Sequence, residues 1–423
     1  FWLKPFWLKP LSSKNGSCGR AGTLMAPLVG AKPSLSVLLF QTVAWRAEGW
    51  WDNGHLLTAA VARAQLSGPL VAALDRVLSG SSEAANFSDV VNASVWMDHI
   101  KCSKSKVAHQ STECKGLQEA EALHLFDAMH FVPQAYNPEN ITLPPLGKLE
   151  PIEQWGDWLP AADAVATLAH VDDALRSSAA PWTWNLMLRF GLHIMGDIHQ
   201  PLHTSDLYSE DFPNGDQGGN KVQILGDSRF KNLHMLWDAA GGLYMDSYPV
   251  PEETLRSTVE KITREHPPGD FVAAGRLDEA WRDPAKRWGI PGKTSVAFFQ
   301  QAARDTQTLL PGVYADYSAA GKGHSFSPSE RYYLEVQRNS TAQIALGGYR
   351  LAQWLNAVAA TGMPAQVDPS APSGVGGPVV PVALAGVAGL LLGATAMALQ
   401  TRCRSRSAEA REAANAIQVG LIA

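Results

Sequence analysis

Apolar residues recur along most of this chain at three- and four-residue spacing, which is the repeat of one face of an α-helix. This spacing predicts helices over residues 55–66, 69–78, 161–175, 182–200, 252–265, 276–288, 295–309 and 329–359. Strict alternation of apolar and polar residues, which is typical of a strand, is clearest over residues 221–225. We interpret that segment as half of a hairpin ending near Arg229. The pattern therefore predicts a single, large all-α domain over residues 50–365.

Two candidate metal ligands lie in the helix predicted over residues 182–200. His193 and Asp197 are four residues apart, so they lie on one helical face, about 6 Å apart along the axis. Pro201 cannot continue the helix because it has no N–H to donate and clashes with the preceding turn. The chain therefore turns and presents His203 from a new direction.

A second histidine–aspartate pair with the same spacing follows at His234 and Asp238. Further candidates occur in motifs before the central helix, namely His55, Asp98 and His130. Imidazole and carboxylate together form a ligand set that zinc accepts when thiolates are absent. One such pair alone is more often an ordinary polar pair on a helix, so the metal hypothesis depends on the combination.

Composition restricts the ways in which the chain could attract its ligand. The 423 residues are 46% hydrophobic and 18% charged, with net charge −5, which indicates a globular protein with ample material for a core. No generally basic surface for nucleic acid is expected, so attraction must come from a local charge such as a metal cluster. Residues 292–294 fail as a phosphate-binding loop because Arg287 occupies the required glycine position.

The two ends of the chain predict targeting and anchoring segments. Residues 1–24 open with a repeated pentapeptide, which we interpret as an artefact or an upstream extension. Residues 25–49 are typical of a signal peptide cleaved after Gly49, and the alternative is an apolar helix that stays attached. Residues 379–399 lack charge and would span roughly 30 Å, which predicts a transmembrane helix after a linker at 366–378. Arginines in the tail, 400–423, then predict a cytoplasmic tail and an outer or lumenal domain, with a lipid anchor as the alternative.

Markers of the secretory pathway accompany these segments. Four Asn-x-Ser/Thr triplets predict glycosylation at Asn86, Asn92, Asn140 and Asn339. Cys102 and Cys114 are the only cysteines of the outer domain, and an oxidising compartment favours a disulfide between them. We therefore expect a single-pass membrane protein of the cell surface or of an internal lumen.

The order of these residues resembles that of the single-strand-specific zinc nucleases, the class I nucleases of fungi and plants. The layout is closest to that of the membrane-anchored 3′-nucleotidase/nucleases of trypanosomatid parasites. The central motif H-x3-D-x-H-Q-P-x-H carries the resemblance, which extends from Trp50 to Ala359 and includes G-G-Y-R-L-A-Q-W-L-N at 347–356. It implies a mainly helical zinc phosphoesterase domain of the phospholipase C/nuclease type. Its expected substrates are single-stranded DNA or RNA and 3′-nucleotides, and no obligate protein partner is inferred.

The resemblance also implies three zinc ions. The ligands would be Asp98, His130, His193 and Asp197 for one ion; His55, Asp197 and the amino group and carbonyl of Trp50 for another; and His203, His234 and Asp238 for the third. An α-amino group has a pKa of about 8 and chelates readily together with its carbonyl oxygen, so signal cleavage would create a ligand. Three dications outweigh three carboxylates and a hydroxide, and the surplus charge attracts phosphate. Zinc-activated hydroxide is then the expected nucleophile, with Asp98 and Asp197 catalytic through the metal.

Substrate contacts are implied in the same way. Lys101 would neutralise charge on the phosphoryl oxygens. The alternative is that it is an ordinary surface lysine. Phe131 would stack on a base and Asn220 would help to hold it, while Pro133 replaces an acid that the family often carries. The segment 205–217 is either a lid or a solvated loop, and His199 is expected to be packed rather than a ligand. Two alternative functions stay open, a zinc-dependent phospholipase C and a non-catalytic zinc-binding surface protein.

Overall fold

The computed structural model describes residues 50–80, 86–100, 124–144, 163–282, 295–321 and 323–364. The expectations for residues 1–49, for Lys101, Cys102 and Cys114, and for everything beyond residue 364 lie outside these ranges. Among the helices of the described ranges, none is long and apolar enough to cross a membrane. The transmembrane helix expected at 379–399 falls outside the part of the chain to which this finding applies.

The described part of the chain is mainly helical, which confirms the fold class predicted from the apolar spacing. The α-helices are α1 (Asp52–Gln65), α2 (Gly68–Ser79), α3 (Trp96–His99), α4 (Ala164–Ser177), α5 (Pro181–Asp197), α6 (Leu233–Asp238), α7 (Glu252–Glu265), α8 (Pro268–Ala273), α9 (Val296–Gln307), α10 (Leu310–Val313), α11 (Ala315–Ala320) and α12 (Glu330–Ala359). Short 3₁₀ segments cover Asn92–Val95, His124–His130, Pro201–His203 and Ala240–Gly242. The helix predicted at 252–265 begins and ends where expected, and the ends of most others differ by a few residues.

Four two-residue strands form two parallel pairs within the described ranges. They are β1 (Ala135–Tyr136), β2 (Asp206–Leu207), β3 (Gln223–Ile224) and β4 (Ser325–Phe326). β1 pairs with β2, and β3 pairs with β4. The predicted hairpin is therefore wrong as a ladder, since its antiparallel return is a single bridge between Gln223 and Asn232. The main chain of this segment pairs instead with β4, which is distant in sequence, and Ile224 and Phe326 lie in the same apolar cluster.

Helix α5 lies in the middle of the core, packed against α4, α1 and α12. Gly348 of α12 permits close approach to α1, because a Cβ there would lie 2.5 Å from Val61. The larger of two buried apolar clusters contains Ile198, just beyond α5, and the smaller one contains Leu202. The two clusters therefore meet at the end of α5, where the central motif lies.

Two expectations about the chain path need correction. The predicted helix at 276–288 is wrong over its described residues, 276–282, which form turns. Gly275 has φ +68°, so the chain reverses after α8, and the Asp278 carboxylate accepts a hydrogen bond from the Ala280 N–H at 2.7 Å. Leu277 and Trp281 are both buried, which explains the helix-like spacing. The segment 205–217 is not a solvated loop, since it contains β2 and most of its residues are buried or half-buried; its role as a lid stays a prediction.

Candidate metal centre

The carboxyl end of α5 presents its two candidate ligands into the interior. His193 and Asp197 are completely buried, and His193 Nε2 lies 3.4 Å from Asp197 Oδ2. The helix ends at Asp197, and Pro201 begins a 3₁₀ turn that carries His203, as the sequence predicts. The Gln200 side chain caps this turn by accepting a hydrogen bond from the Leu202 N–H at 2.5 Å.

The first group of candidate ligands combines α5 with two earlier segments. Asp98 comes from α3, and His130 ends the 3₁₀ segment His124–His130. His193 Nε2 lies 3.0 Å from His130 Nδ1 and 3.7 Å from Asp98 Oδ1. Asp197 Oδ2 lies 3.0 Å from the same His130 nitrogen. Asp98, His130 and His193 therefore bring ligand atoms within 4.8 Å of one another, and Asp197 adjoins His130 and His193.

The second group forms on the other oxygen of Asp197. His55 Nε2 lies 3.4 Å from Asp197 Oδ1, and the His55 ring stacks on that of His193 at 3.9 Å. Trp50 is buried beside them, and its indole N–H donates to the Gly196 carbonyl at 3.0 Å. Asp197 thus faces two groups with its two oxygens, which is the arrangement expected of a bridging carboxylate.

The third group joins the 3₁₀ turn after α5 to α6. His234 Nε2 lies 3.3 Å from Asp238 Oδ2, and His203 Nε2 lies 3.9 Å from Asp238 Oδ1. The α6 helix begins here because its N-cap residue, Asn232, accepts a hydrogen bond from the Met235 N–H at 2.8 Å. The Trp51 N–H donates to the Asp238 carbonyl at 3.1 Å, so the segment around Trp50 is tied to this group as well.

Backbone carbonyls fix the orientation of three of the imidazole rings. The Nδ1 atoms of His193, His203 and His234 lie 2.7, 2.8 and 2.6 Å from the carbonyl oxygens of Ser94, His130 and Gly218. A carbonyl accepts a hydrogen bond only from a protonated Nδ1, so each ring turns an Nε2 lone pair toward its group. This is the usual support of a metal-binding histidine.

The donor set fits zinc in both chemistry and spacing. Within each of three subsets the ligand atoms lie within 4.8 Å of one another: His55, His193 and Asp197; Asp98, His130 and His193; and His203, His234 and Asp238. Zinc bonds of 2.0–2.1 Å in a tetrahedron separate neighbouring ligand atoms by about 3.3 Å. The separations of 3.0–3.7 Å in the first group bracket that value. All these side chains are buried, so the candidate ligands are shielded from water.

Gln200 is a residue of the centre to which the sequence assigns no role. Its Nε2 donates to Asp238 Oδ1 at 2.6 Å, so it orients a carboxylate of the third group. Gln200 is fully buried. The sequence signal for its role is its position in the central motif, between the candidate ligands Asp197 and His203. His199 is packed, as expected, with Nδ1 2.7 Å from the Met195 carbonyl oxygen and Nε2 3.2 Å from Arg350.

The two expected base-contacting residues lie at the third group and near it. The half-buried Phe131 ring stacks on His203 with centroids 4.4 Å apart. Asn220 donates to the Gln217 carbonyl at 2.9 Å and accepts from Asn232 at 3.3 Å, so its amide is held in place. It also lines an open pocket of about 400 Å³ that contains Phe230.

A helical domain with buried groups of histidine and aspartate that could each hold a metal ion is typical of metal-dependent enzymes. Comparison with known proteins narrows that class. The family model described as S1/P1 Nuclease matches residues 50–360, and the chain belongs to this family. The resemblance inferred from the central motif is thereby confirmed at the family level.

Individual relatives agree with this membership. The chain is 24% identical to Nuclease S1 of Aspergillus oryzae over 317 residues, which cover 74% of this chain and 92% of that protein. It is 24% identical to Nuclease P1 of Penicillium citrinum over 317 residues, covering 73% and 97%. Endonuclease 2 of Arabidopsis thaliana is also 24% identical, over 324 residues that cover 73% and 90%. The alignments span nearly the whole length of each relative.

Proposed function

We propose that this protein is a zinc-dependent phosphoesterase that hydrolyses single-stranded DNA and RNA and removes phosphate from 3′-nucleotides. The observation that carries the proposal is the convergence of three histidine and aspartate groups on the end of α5 in a chain of the S1/P1 nuclease family. An isolated polar pair gives little support for a metal, whereas eight buried side chains from separate segments that face one another favour bound cations.

We assign these side chains to three zinc ions. The proposed ligands are Asp98, His130, His193 and Asp197; His55, Asp197 and the main-chain amino and carbonyl groups of Trp50; and His203, His234 and Asp238. The spacing of the first group and the two-sided contacts of Asp197 support the first two assignments. The carbonyl-fixed rings of His203 and His234 support the third.

Zinc held by these residues would supply a water molecule that ionises near neutral pH and positive charge for the phosphoryl oxygens. The chain's own contribution is to hold the donors rigidly, so that little reorganisation accompanies the reaction. Asp197 belongs to two groups and therefore sets their relative position. Gln200 keeps Asp238 turned toward His203. No nucleophilic side chain is required.

Substrate positioning falls to residues around the third group. The Phe131 ring, which stacks on His203, is the proposed platform for a base, and such stacking contributes about 1–3 kcal/mol for any base. Asn220 is the proposed amide contact to the base, and Lys101 the proposed cation at the phosphate. Since Pro133 supplies no acid, we propose loose base preference, resting mainly on stacking.

The test is an assay of purified protein on 3′-AMP, 5′-AMP, single-stranded DNA and phosphatidylcholine. We expect phosphate release from 3′-AMP and cleavage of the DNA, both abolished by a chelator and restored by zinc. His234→Ala should lose both activities, while His170→Ala, which alters an exposed histidine, should keep them. Hydrolysis of phosphatidylcholine alone would instead assign a phospholipase C. Zinc binding without any hydrolysis would indicate a binding protein.

The Trp50 assignment has an independent test. A mature protein that carries one extra residue before Trp50 can no longer offer the amino group of that residue, so we expect most activity to be lost. A protein beginning at Trp50 is the matched control. Equal turnover by the two proteins would refute the ligand role of the main-chain nitrogen.

We also propose passage through the secretory pathway and a membrane anchor at residues 379–399. Asn86 and Asn140 are exposed, whereas Asn92 and Asn339 are half-buried. The Asn92 amide additionally donates to Asp89 at 2.5 Å. We therefore expect glycosylation first at the two exposed positions, to be checked by mass spectrometry of the protein from eukaryotic cells. The proposed disulfide between Cys102 and Cys114 can be checked in the same peptides.

A further inference from the structure

The backbone of residues 216–220 lies directly against the third group. The carbonyl oxygen of Gly218 is 2.6 Å from His234 Nδ1. Gly218 and Gly219 have φ of +58° and +81°, and a Cβ on Gly218 would lie 2.4 Å from the Leu202 carbonyl oxygen. Glycine favours this conformation, and the approach to the Leu202 carbonyl leaves no room for a Cβ on Gly218. The contact between main chain and imidazole is therefore built into the local sequence.

A buried carboxylate lies at the far end of the same peptide group. Asp216 is fully buried, and its Oδ2 accepts hydrogen bonds from the Gly219 N–H at 2.9 Å and from the Tyr314 hydroxyl at 2.8 Å. Its Oδ1 accepts from the Leu207 N–H at 2.8 Å. The Gly219 N–H and the Gly218 carbonyl belong to one planar amide. The order of groups is therefore carboxylate, amide, imidazole.

This order has an electrostatic consequence. A carboxylate on the N–H of an amide increases the negative charge on its carbonyl oxygen, because the amide is conjugated and hydrogen bonds in series strengthen one another. The stronger acceptor binds the imidazole N–H more tightly and makes the opposite nitrogen a better ligand. Metal-bound histidines commonly have a carboxylate directly on the second nitrogen. Here a peptide group is inserted between the two.

We propose that Asp216 is a positioning residue for His234, acting through the Gly218–Gly219 peptide group. The inference rests on the proposed zinc-dependent function. A second carboxylate fixes the preceding peptide group in the same way. The Asp206 carboxylate accepts a hydrogen bond from the Gly218 N–H at 2.6 Å. Burial, and then the Asp206 charge, raise the pKa of Asp216 to about 7, and the three donors oppose that rise.

The test compares Asp216→Asn with Tyr314→Phe at pH 9, well above the pKa of about 7 of the Asp216 carboxylate. Asparagine has one acceptor oxygen where aspartate has two, so Asp216→Asn loses the hydrogen bond from either the Gly219 N–H or the Leu207 N–H. Tyr314→Phe removes one hydroxyl and leaves the hydrogen bond between Gly219 and Asp216 intact. Zinc affinity is measured by titrating metal-free protein against a chelating dye. We expect one zinc ion to bind about tenfold more weakly in Asp216→Asn, the lower end of such effects. Tyr314→Phe should bind all its zinc as the unmodified protein does.

Equal zinc affinity in Asp216→Asn and Tyr314→Phe, at whatever thermal stability, overturns the positioning role. If the unmodified protein binds no zinc, the proposed function fails first, and the two failures are thereby distinguished.

A measurement on the unmodified protein serves if Asp216→Asn does not fold. Because coupling is reciprocal, zinc should strengthen the Gly219 bond to Asp216 and slow exchange of that amide proton. The Leu207 amide binds the other oxygen of Asp216 and provides the internal control. An identical response of the two amides to zinc overturns the proposal.

Discussion

The sharpest prediction concerns Gly196, the residue just before Asp197 in α5. A Cβ at this position would lie 2.7 Å from His55 Nδ1, whereas ordinary contacts begin near 3.4 Å. In Gly196→Ala the His55 ring must therefore move by about 0.7 Å. Metal–ligand distances tolerate only about ±0.2 Å, so the second group is distorted. Misplacement of this order costs a catalytic site between about tenfold and about 100-fold.

The substitution is otherwise mild, because alanine is favoured over glycine in a helix by about 1 kcal/mol. The assay is kcat/KM for phosphate release from 3′-AMP, together with zinc content and thermal midpoint. We expect activity to fall about 10–100-fold, equivalent to about 1.4–2.7 kcal/mol of transition-state stabilisation, and zinc at the second group to be depleted.

Gly191→Ala is the matched control, five residues earlier on the same helix. Its Cβ would lie 2.3 Å from the Trp354 ring, which is a core clash away from the ligands. We expect Gly191→Ala to lower thermal stability while each folded molecule retains its zinc and its activity. If the two variants lose activity in proportion to their loss of stability, the reasoning about ligand displacement is refuted.

The remaining predictions test other parts of the molecule. Gln200→Ala removes the donor on Asp238 and should weaken zinc binding about 10–100-fold, measured by dye competition; unchanged affinity would deny the residue a supporting role. Burial raises the pKa of Asp163 to about 6, so folding favours its protonated form, and the stability this provides is lost as pH rises from about 4 to about 6. In Asp163→Asn, which keeps an acceptor for the Ala166 N–H at the start of α4, urea unfolding between pH 4.5 and 7 should lack that decline, whereas Asp173→Asn at an exposed position should retain it.

The sequence predicts those features that repeat within one element. Apolar spacing identifies the long helices, and the four-residue spacing of His193 and Asp197 places them on one face, because both depend only on local geometry. Pro201 begins the 3₁₀ turn that directs His203 into the interior, as expected because proline has no N–H to continue a helix. The ligand sets for the three ions came from resemblance to a family rather than from spacing.

What the sequence does not reveal is contact across the chain. The partner of β3 is β4, about 100 residues later, and nothing in the local pattern distinguishes this pairing from a hairpin. The acceptors that orient the imidazoles are main-chain carbonyls, such as those of Ser94 and Gly218, which every residue possesses. Leu277 and Trp281 are spaced as in a helix, but a glycine with positive φ makes the chain turn there.

The concentration of acids at the end of α5 has a consequence for biogenesis. Asp98 and Asp197 are almost completely removed from water and face each other across His193, and burying such charges is costly unless cations balance them. The proposed ligands come from positions as far apart as His55 and Asp238, so each proposed ion would cross-link distant parts of the chain. We therefore expect the yield of mature protein to follow the supply of zinc in the compartment where the chain is synthesised.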